Sequence, residues 1–224
     1  MNSNLEKRFK FFVADLYHKM GPFGSKTWNS SAQDLEKQLK SKGINLPFKL
    51  YYVYNLPDGT TRLNYMRKLS FLEFCNNFNR IDEYKNIFMD SDKVTPEEKE
   101  LIVKEITKQN NYDEVLRGDF SKILALNPEL QRFKSENKPL KIIDLIAGAV
   151  FGFAPDEIDY YCYGRFNQGK DIDSVLAKEE EARQLIANYG FRVGYILAPQ
   201  TAKKIIAALE KNRQNINVQQ GRKL

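Results

Sequence analysis

The residue types that most often carry out catalysis or bind metals are scarce in this chain of 224 residues. It contains one histidine, His18, and two cysteines, Cys75 and Cys162. A general base needs a partner within hydrogen-bonding distance, and no sequence motif pairs His18 with a nucleophile. The spacing of the cysteines fits neither a disulfide framework nor a zinc site. We therefore predict no catalytic residue, no cofactor and no metal site, and we expect both thiols to be reduced, as in a cytoplasmic protein.

A loop at residues 21–27, GPFGSKT, contains the glycines and the lysine that are typical of phosphate-binding loops. A P-loop, however, has four residues between its glycines and a lysine directly after the second one. The spacing in this loop is different, and the loop follows a predicted helix rather than a strand. We therefore interpret it as a turn between two helices.

The 29 acidic residues do not include a pair that a motif selects for catalysis. Asp156 and Glu157 stand at a predicted helix start, as do Glu97 and Glu98 after the predicted cap residue Thr95, and the helix dipole favours negative charge at such positions. Residues 179–181 are three consecutive glutamates, which is typical of a solvated helix face. An enzyme whose active site has no sequence motif is therefore an alternative that the sequence leaves open.

Aromatic residues are concentrated at residues 160–166, YYCYGRF. A helix cannot bury four consecutive positions on one face, so at least one of these tyrosines should point away from the core. Tyrosine and arginine are enriched at protein interfaces and in surfaces that stack nucleic-acid bases. We predict that Tyr160, Tyr163 and Arg165 contact a protein partner. The alternative is that the rings pack inside the protein while their hydroxyl groups reach water.

The net charge of +6 comes mostly from the end of the chain. Residues 201–224 hold six Lys or Arg residues against one Glu, a net charge of +5, which leaves +1 for residues 1–200. A body this close to neutral argues against a broad basic face for nucleic acid. The last helix is instead predicted to contact an acidic partner or phosphate groups through four residues: Lys203, Lys204, Lys211 and Arg213.

Helices are expected to position these groups, because most of the chain repeats apolar residues at three- and four-residue steps. The most apolar run, residues 139–166, predicts a buried helix, a chain reversal at Gly152 and a second helix that starts at Pro155. No apolar run reaches the roughly 18 residues that a membrane span requires. We therefore expect no membrane-spanning helix.

A different pattern covers residues 48–68. The run FKLYYVYN (48–55) is rich in aromatic and β-branched residues, PDG (57–59) is typical of a turn, and TRLNYMRK (61–68) alternates apolar and polar residues. This pattern predicts a β-hairpin, with residues 191–197 as a candidate third strand. The predicted fold class is therefore α+β and predominantly α-helical, with a helical core and a β-hairpin at about residues 48–68 packed on it.

The predicted organisation is a single domain over residues 1–213, followed by a polar basic tail at 214–224. The domain can divide into a lobe of helices and hairpin (1–81) and an all-helical lobe (95–213), joined by residues 82–94. We predict a non-catalytic protein-interaction module, an adaptor or a structural subunit of a larger assembly. The first alternative is a nucleic-acid-binding protein that uses the basic C-terminal helix and tail, and the second is the enzyme without a motif.

Overall fold

The computed structural model describes residues 32–80, 94–108, 112–134, 141–165 and 171–221. Within these ranges the chain forms eight α-helices: α1 (Ala32–Ser41), α2 (Arg62–Arg80), α3 (Pro96–Lys108), α4 (Tyr112–Leu126), α5 (Ile142–Phe151), α6 (Pro155–Asp159), α7 (Ile172–Ala187) and α8 (Pro199–Gly221). Two 3-10 segments, Pro57–Gly59 and Pro128–Lys134, stand between them, and a π-helical turn, Tyr160–Gly164, continues α6. Most of the tail predicted at 214–224 is therefore part of α8.

The chain divides into two compact units. Of the described residues, the first unit holds those between 55 and 126, and the second unit holds 32–54 together with those from 127 onward. Residues 82–93, most of the predicted connection between two lobes, lie outside the described residues. The predicted division into lobes therefore stays a prediction.

The predicted β-hairpin at residues 48–68 is wrong, and so is the α+β fold class, because the described residues form no strand or sheet. α2 begins at Arg62, inside the expected second strand. Its buried residues Tyr65, Leu69 and Leu72 follow a four- and three-residue spacing, which is the period of a helix. The alternation in residues 61–68 is too short to distinguish the two-residue period of a strand from the period of a helix, and the longer pattern favours the helix.

The first half of the expected hairpin is an extended segment that other parts of the chain hold in place. The Glu36 carboxylate on α1 accepts the backbone N–H groups of Leu50 and Tyr51, at 3.1 and 3.0 Å. The next N–H group, of Tyr52, donates to the carbonyl oxygen of Gly152 at 2.9 Å. Because these groups are satisfied by a carboxylate and by a corner of the chain, the segment has its backbone partners without a hairpin.

The predicted buried helix and chain reversal are confirmed. α5 is followed by Gly152 in the left-handed conformation, with φ of 78°. A side chain at this position would collide with the Tyr51 ring and would stand 2.6 Å from the Tyr52 carbonyl oxygen, so only glycine fits. Inside α5, a Cβ atom on Gly148 would lie 2.8 Å from the Ile158 side chain, which shows how closely α6 approaches α5.

One hydrophobic core cluster holds the second unit together. Its buried members come from α1, α7, α8 and the irregular segments beside them: Ala32, Leu35, Leu39, Leu50, Ala182, Ile186, Phe191, Tyr195, Leu197, Ala202, Ile205 and Leu209. The candidate third strand at 191–197 contributes to this core as an irregular segment. α8 buries Ala202, Ile205 and Leu209, and this fixes which of its faces is left for other contacts.

The first unit packs α2 against α3 and α4. The start of α3 carries the predicted cap, because the Thr95 N–H donates to the Glu98 carboxylate at 2.9 Å and the Glu98 N–H donates to the Thr95 hydroxyl at 3.3 Å. Between α2 and α4, Lys68 forms an ion pair of 2.7 Å with the buried carboxylate of Asp119. These acidic residues therefore have structural contacts.

Candidate functional site

The described residues contain no group of three or more His, Cys, Asp or Glu side chains that could hold a metal ion. His18 and the loop at 21–27 lie outside those residues. Cys75 and Cys162 are buried and unbonded to each other. Burial, together with the charge of Asp144, raises the pKa of the Cys162 thiol to about 12, so this thiol is protonated at neutral pH and is a poor nucleophile.

No helix in the described part of the chain combines the length and the apolar character needed to cross a bilayer. The longest, α8, has Lys203, Lys204, Lys211 and Arg213 on its surface. The site that these observations leave to consider is therefore a binding surface.

Two of the three residues predicted at a protein interface converge on a buried carboxylate. Arg165 donates from Nε and Nη2 to the Glu179 oxygens at 2.7 and 2.9 Å, and the Tyr160 hydroxyl donates to the same carboxylate at 3.0 Å. The Arg165 and Glu179 side chains are only 11% and 5% exposed. Burial and the Glu179 charge raise the pKa of Tyr160. These contacts tie the π-helical turn to α7.

Tyr163, the third predicted interface residue, is buried, and its ring stacks on Phe133 with 6.5 Å between centroids. Burial raises the pKa of its hydroxyl to about 12. Its neighbour Tyr161 is 37% exposed, and the Arg165 guanidinium lies over its ring. Contact of Tyr160, Tyr163 and Arg165 with a partner stays a prediction, and Tyr161 offers more accessible surface than any of them.

The four basic residues predicted on the last helix are all exposed, but the structure divides them into two pairs. Lys204 and Lys211 line a groove of about 690 Å³ between α8 and the segment 43–48. Lys203 and Arg213 are not among its lining residues. Those are Gly43, Ile44, Asn45, Pro47, Phe48, Lys204, Ala207, Ala208, Lys211, Asn212 and Asn215. We call this the α8 groove.

The helical period explains why these two lysines share the groove. Seven residues make about two turns, so Lys204 and Lys211 lie on one face, ~10.5 Å apart along the axis. Ala207 and Ala208 stand between them, and their small side chains keep that part of the face open. The face opposite packs Ile205 and Leu209 into the core. Because one face of α8 packs into the core, the groove forms on the opposite face.

The described residues that line the α8 groove include two lysines and no acidic residue. Within the described residues, neither Lys204 nor Lys211 forms an ion pair with a carboxylate. Asparagine side chains and the apolar segment 43–48 complete the surface. This combination suits carboxylate or phosphate groups on a chain that also carries some apolar side chains, since lysine binds both anions as a point charge.

A second, smaller cleft of about 290 Å³ lies beside the α8 groove and shares Phe48 and Lys204 with it. The Lys204 ammonium group stands 5.8 Å from the centroid of the Phe48 ring. Polar and charged side chains supply much of the remaining lining: Lys49, Tyr52, Glu129, Arg132, Asp156 and Thr201. Arg132 is held at this place by Asp156 and by the Pro155 carbonyl oxygen, each at 2.8 Å.

Glu157 fixes the start of α8 next to this cleft. Its buried carboxylate accepts the N–H of Ala198 at 2.8 Å, and it also interacts with the Thr201 hydroxyl. Burial raises the pKa of Glu157 to about 7. The contact joins α6 to α8, and it thereby orients the first turns of α8, which carry Lys204.

Sequence reasoning missed Phe48, Lys49 and the asparagines of the groove. It assigned residues 48–55 to a strand, where side chains alternate between faces and none is singled out for binding. The signal that could have located the groove is the pair Gly43 and Pro47, because Gly and Pro at this spacing mark an irregular segment.

No protein-family model matches this sequence, and comparisons with curated proteins and with solved structures gave no significant match either. The function is therefore inferred from the side chains and cavities of the chain itself. The α8 groove is the feature that brings predicted binding residues together.

Proposed function

We propose that this chain is a non-catalytic protein-binding module that holds an acidic segment of a partner protein in the α8 groove. The observation that carries the proposal is the position of Lys204 and Lys211 on one face of α8, without a carboxylate partner among the described residues and opposite an apolar segment. Acidic side chains of the partner would meet the two ammonium groups, and apolar side chains would cover the alanines between them.

We expect the affinity for the peptide to be modest. Charge interactions and apolar contacts both contribute to it. An exposed ion pair contributes only about 0.2–1 kcal/mol, so two such pairs cannot bind a partner by themselves. Burying apolar surface adds about 25 cal/mol per Å², and Ile44, Pro47 and Phe48 supply such surface. The lysines would therefore contribute mainly to selection of acidic partners and to the rate of association, both of which weaken as salt increases.

A single-stranded nucleic acid is the less favoured occupant. Surfaces that bind single strands usually combine cations with several aromatic rings that stack on successive bases. Among the described residues that line the α8 groove, one is aromatic, Phe48, and the Lys204 ammonium group lies over its ring. A peptide needs no such row of rings, and its carboxylates would suit the two lysines equally well.

Fluorescence anisotropy with defined probes tests the proposal. The first probe is a labelled peptide of about 12 residues that alternates Glu and Leu, and the second is a labelled oligothymidylate of similar length. We expect the peptide to bind, and the double variant Lys204→Glu/Lys211→Glu to weaken its binding by at least about tenfold. The matched control is Lys203→Glu/Arg213→Glu, which changes the net charge of the same helix equally but leaves the groove lining intact.

Each other result would contradict the proposal in a distinct way. Equal losses for the two double variants would mean that the peptide responds to the net charge of α8 and not to the groove. Tighter binding of the oligothymidylate, dependent on Lys204 and Lys211, would favour the nucleic-acid alternative. No binding of the peptide at low salt would remove the proposed function altogether.

A further inference from the structure

The α8 groove and the neighbouring cleft share two lining side chains. Phe48 and Lys204 line both cavities, and the ammonium group of Lys204 rests over the Phe48 ring. A cation–π contact at an exposed site and one exposed ion pair are both weak and of similar strength. A carboxylate that reached Lys204 could therefore replace the ring as its partner and open the boundary at little cost.

We infer that the α8 groove and the cleft form one continuous binding track for an extended peptide segment of about seven residues. This inference depends on the proposed function. Thr201 and Asn215 mark the two ends of the track on α8, and the 14 helical steps from one to the other span ~21 Å of helix. An extended chain rises about 3.3 Å per residue, so six or seven residues cover that distance.

Among the described lining residues, the charged ones are all basic in the α8 groove and are of both signs in the cleft. Lys211, Lys204 and Lys49 follow one another from the groove into the cleft, and all three are exposed. The lining of the cleft also contains Glu129 and Asp156, of which Asp156 is paired with Arg132.

Glu129 has no ion pair with a cation of the described residues. The occupant is therefore an extended segment that is acidic where it follows the lysines, with a neutral or basic residue at the end near Glu129.

Peptide length and two variants test this inference. The probes are labelled Glu/Leu peptides of about four and about eight residues, measured by fluorescence anisotropy. We expect the longer peptide to bind at least about tenfold more tightly. Lys49→Glu should weaken binding of the longer peptide only. Glu129→Gln should strengthen binding of the longer peptide, because its acidic end then no longer meets the Glu129 carboxylate. Lys178→Glu, an exposed change on α7, is the control and should alter neither.

The results separate failure of the track from failure of the groove. If Lys204→Glu/Lys211→Glu weakens the longer peptide while Lys49→Glu and Glu129→Gln do not change it, the groove alone holds the ligand and the continuous track is refuted. Equal affinities of the two peptides would refute it as well. If Lys204→Glu/Lys211→Glu also leaves the affinity for the longer peptide unchanged, both the proposed function and the continuous track are refuted.

Discussion

The guanidinium group of Arg165 makes two hydrogen bonds to the carboxylate of Glu179, at 2.7 and 2.9 Å; Glu179 is buried and the Arg165 side chain is nearly so. Removing one partner would leave the other charge buried without compensation, which typically costs about 3–5 kcal/mol. We expect Glu179→Ala to lower the free energy of unfolding by that amount, as measured by urea denaturation with circular dichroism.

The exposed ion pair between Arg183 and Glu180 on the same helix is the control for this measurement. Arg183→Ala should change the free energy of unfolding by less than about 1 kcal/mol, because both side chains are largely in water. Similar losses for Glu179→Ala and Arg183→Ala would contradict a structural role for the buried pair.

Gly152 should tolerate no side chain. Gly152→Ala would place a Cβ atom against the Tyr51 ring and 2.6 Å from the Tyr52 carbonyl oxygen, at a φ of 78°. We expect a loss of at least about 3 kcal/mol in the free energy of unfolding, since strain from the left-handed backbone adds to the collision. Thermal or urea denaturation measures it.

Gly43 separates the backbone contribution from the collision. Its φ is 73°, close to that of Gly152, but a Cβ atom there would meet nothing within 4 Å. Gly43→Ala should therefore cost only the backbone strain, about 1 kcal/mol. If Gly43→Ala and Gly152→Ala destabilise equally, the close approach of Tyr51 to the α5 corner has no energetic consequence.

The Glu36 carboxylate should affect peptide binding although it does not line the α8 groove. It holds the N–H groups of Leu50 and Tyr51, and through them it fixes the segment that carries Phe48. Glu36→Ala leaves two backbone donors without this acceptor, at a cost of about 1–3 kcal/mol each where they are buried. We expect lower stability and several-fold weaker binding of the Glu/Leu peptide.

Lys40→Ala is the control for Glu36, because it removes only the exposed ion pair between Lys40 and Glu36. Stability and peptide affinity should change little. Unchanged peptide affinity in Glu36→Ala, with the protein still folded, would mean that the segment 43–48 keeps its conformation without the carboxylate.

The stability of the protein should decrease as the pH rises from about 4.5 to about 7, because of Glu157. Burial raises the pKa of this carboxyl from the ordinary value of 4.5 to about 7. Between these values the folded protein holds a proton that the unfolded chain releases, so the free energy of unfolding falls with increasing pH. The full effect is at most about 3 kcal/mol, at 1.36 kcal/mol per pH unit.

Urea denaturation at about pH 5 and about pH 8 measures this effect. Glu157→Gln has no proton to lose and should flatten the dependence. Glu129→Gln, which changes an exposed carboxyl, should keep the slope of the unmodified protein. If Glu157→Gln retains that slope as well, the pH dependence originates in another group.

The parts of the fold that the sequence predicted correctly are those decided by local chemistry. α5 is apolar on most faces, Gly152 permits the reversal, and Thr95 with Glu98 forms a cap within four residues of chain. Such signals need no knowledge of distant segments. The prediction of a hairpin was wrong because the eight alternating residues 61–68 are compatible both with a strand and with the first two turns of a longer helix.

The candidate site could be predicted only in part, because its geometry comes from contacts between distant segments. The basic character of α8 is visible in the sequence, but the choice of Lys204 and Lys211 over Lys203 and Arg213 depends on the position of the segment 43–48. Likewise, the partner of Arg165 lies 14 residues away, and nothing local selects Glu179 among three consecutive glutamates.

α8 continues for about three turns beyond Leu209, its last buried residue among the side chains that the structure describes. An isolated helix shorter than about 12–15 residues is marginal in water, and none of the described side chains of these turns is buried, so the local helix–coil equilibrium should contribute strongly to their stability. Their amide hydrogens should exchange with solvent much faster than those near Ile205. The number of helical turns that α8 keeps beyond Leu209 should therefore decrease as the temperature rises, whereas the core should keep its structure.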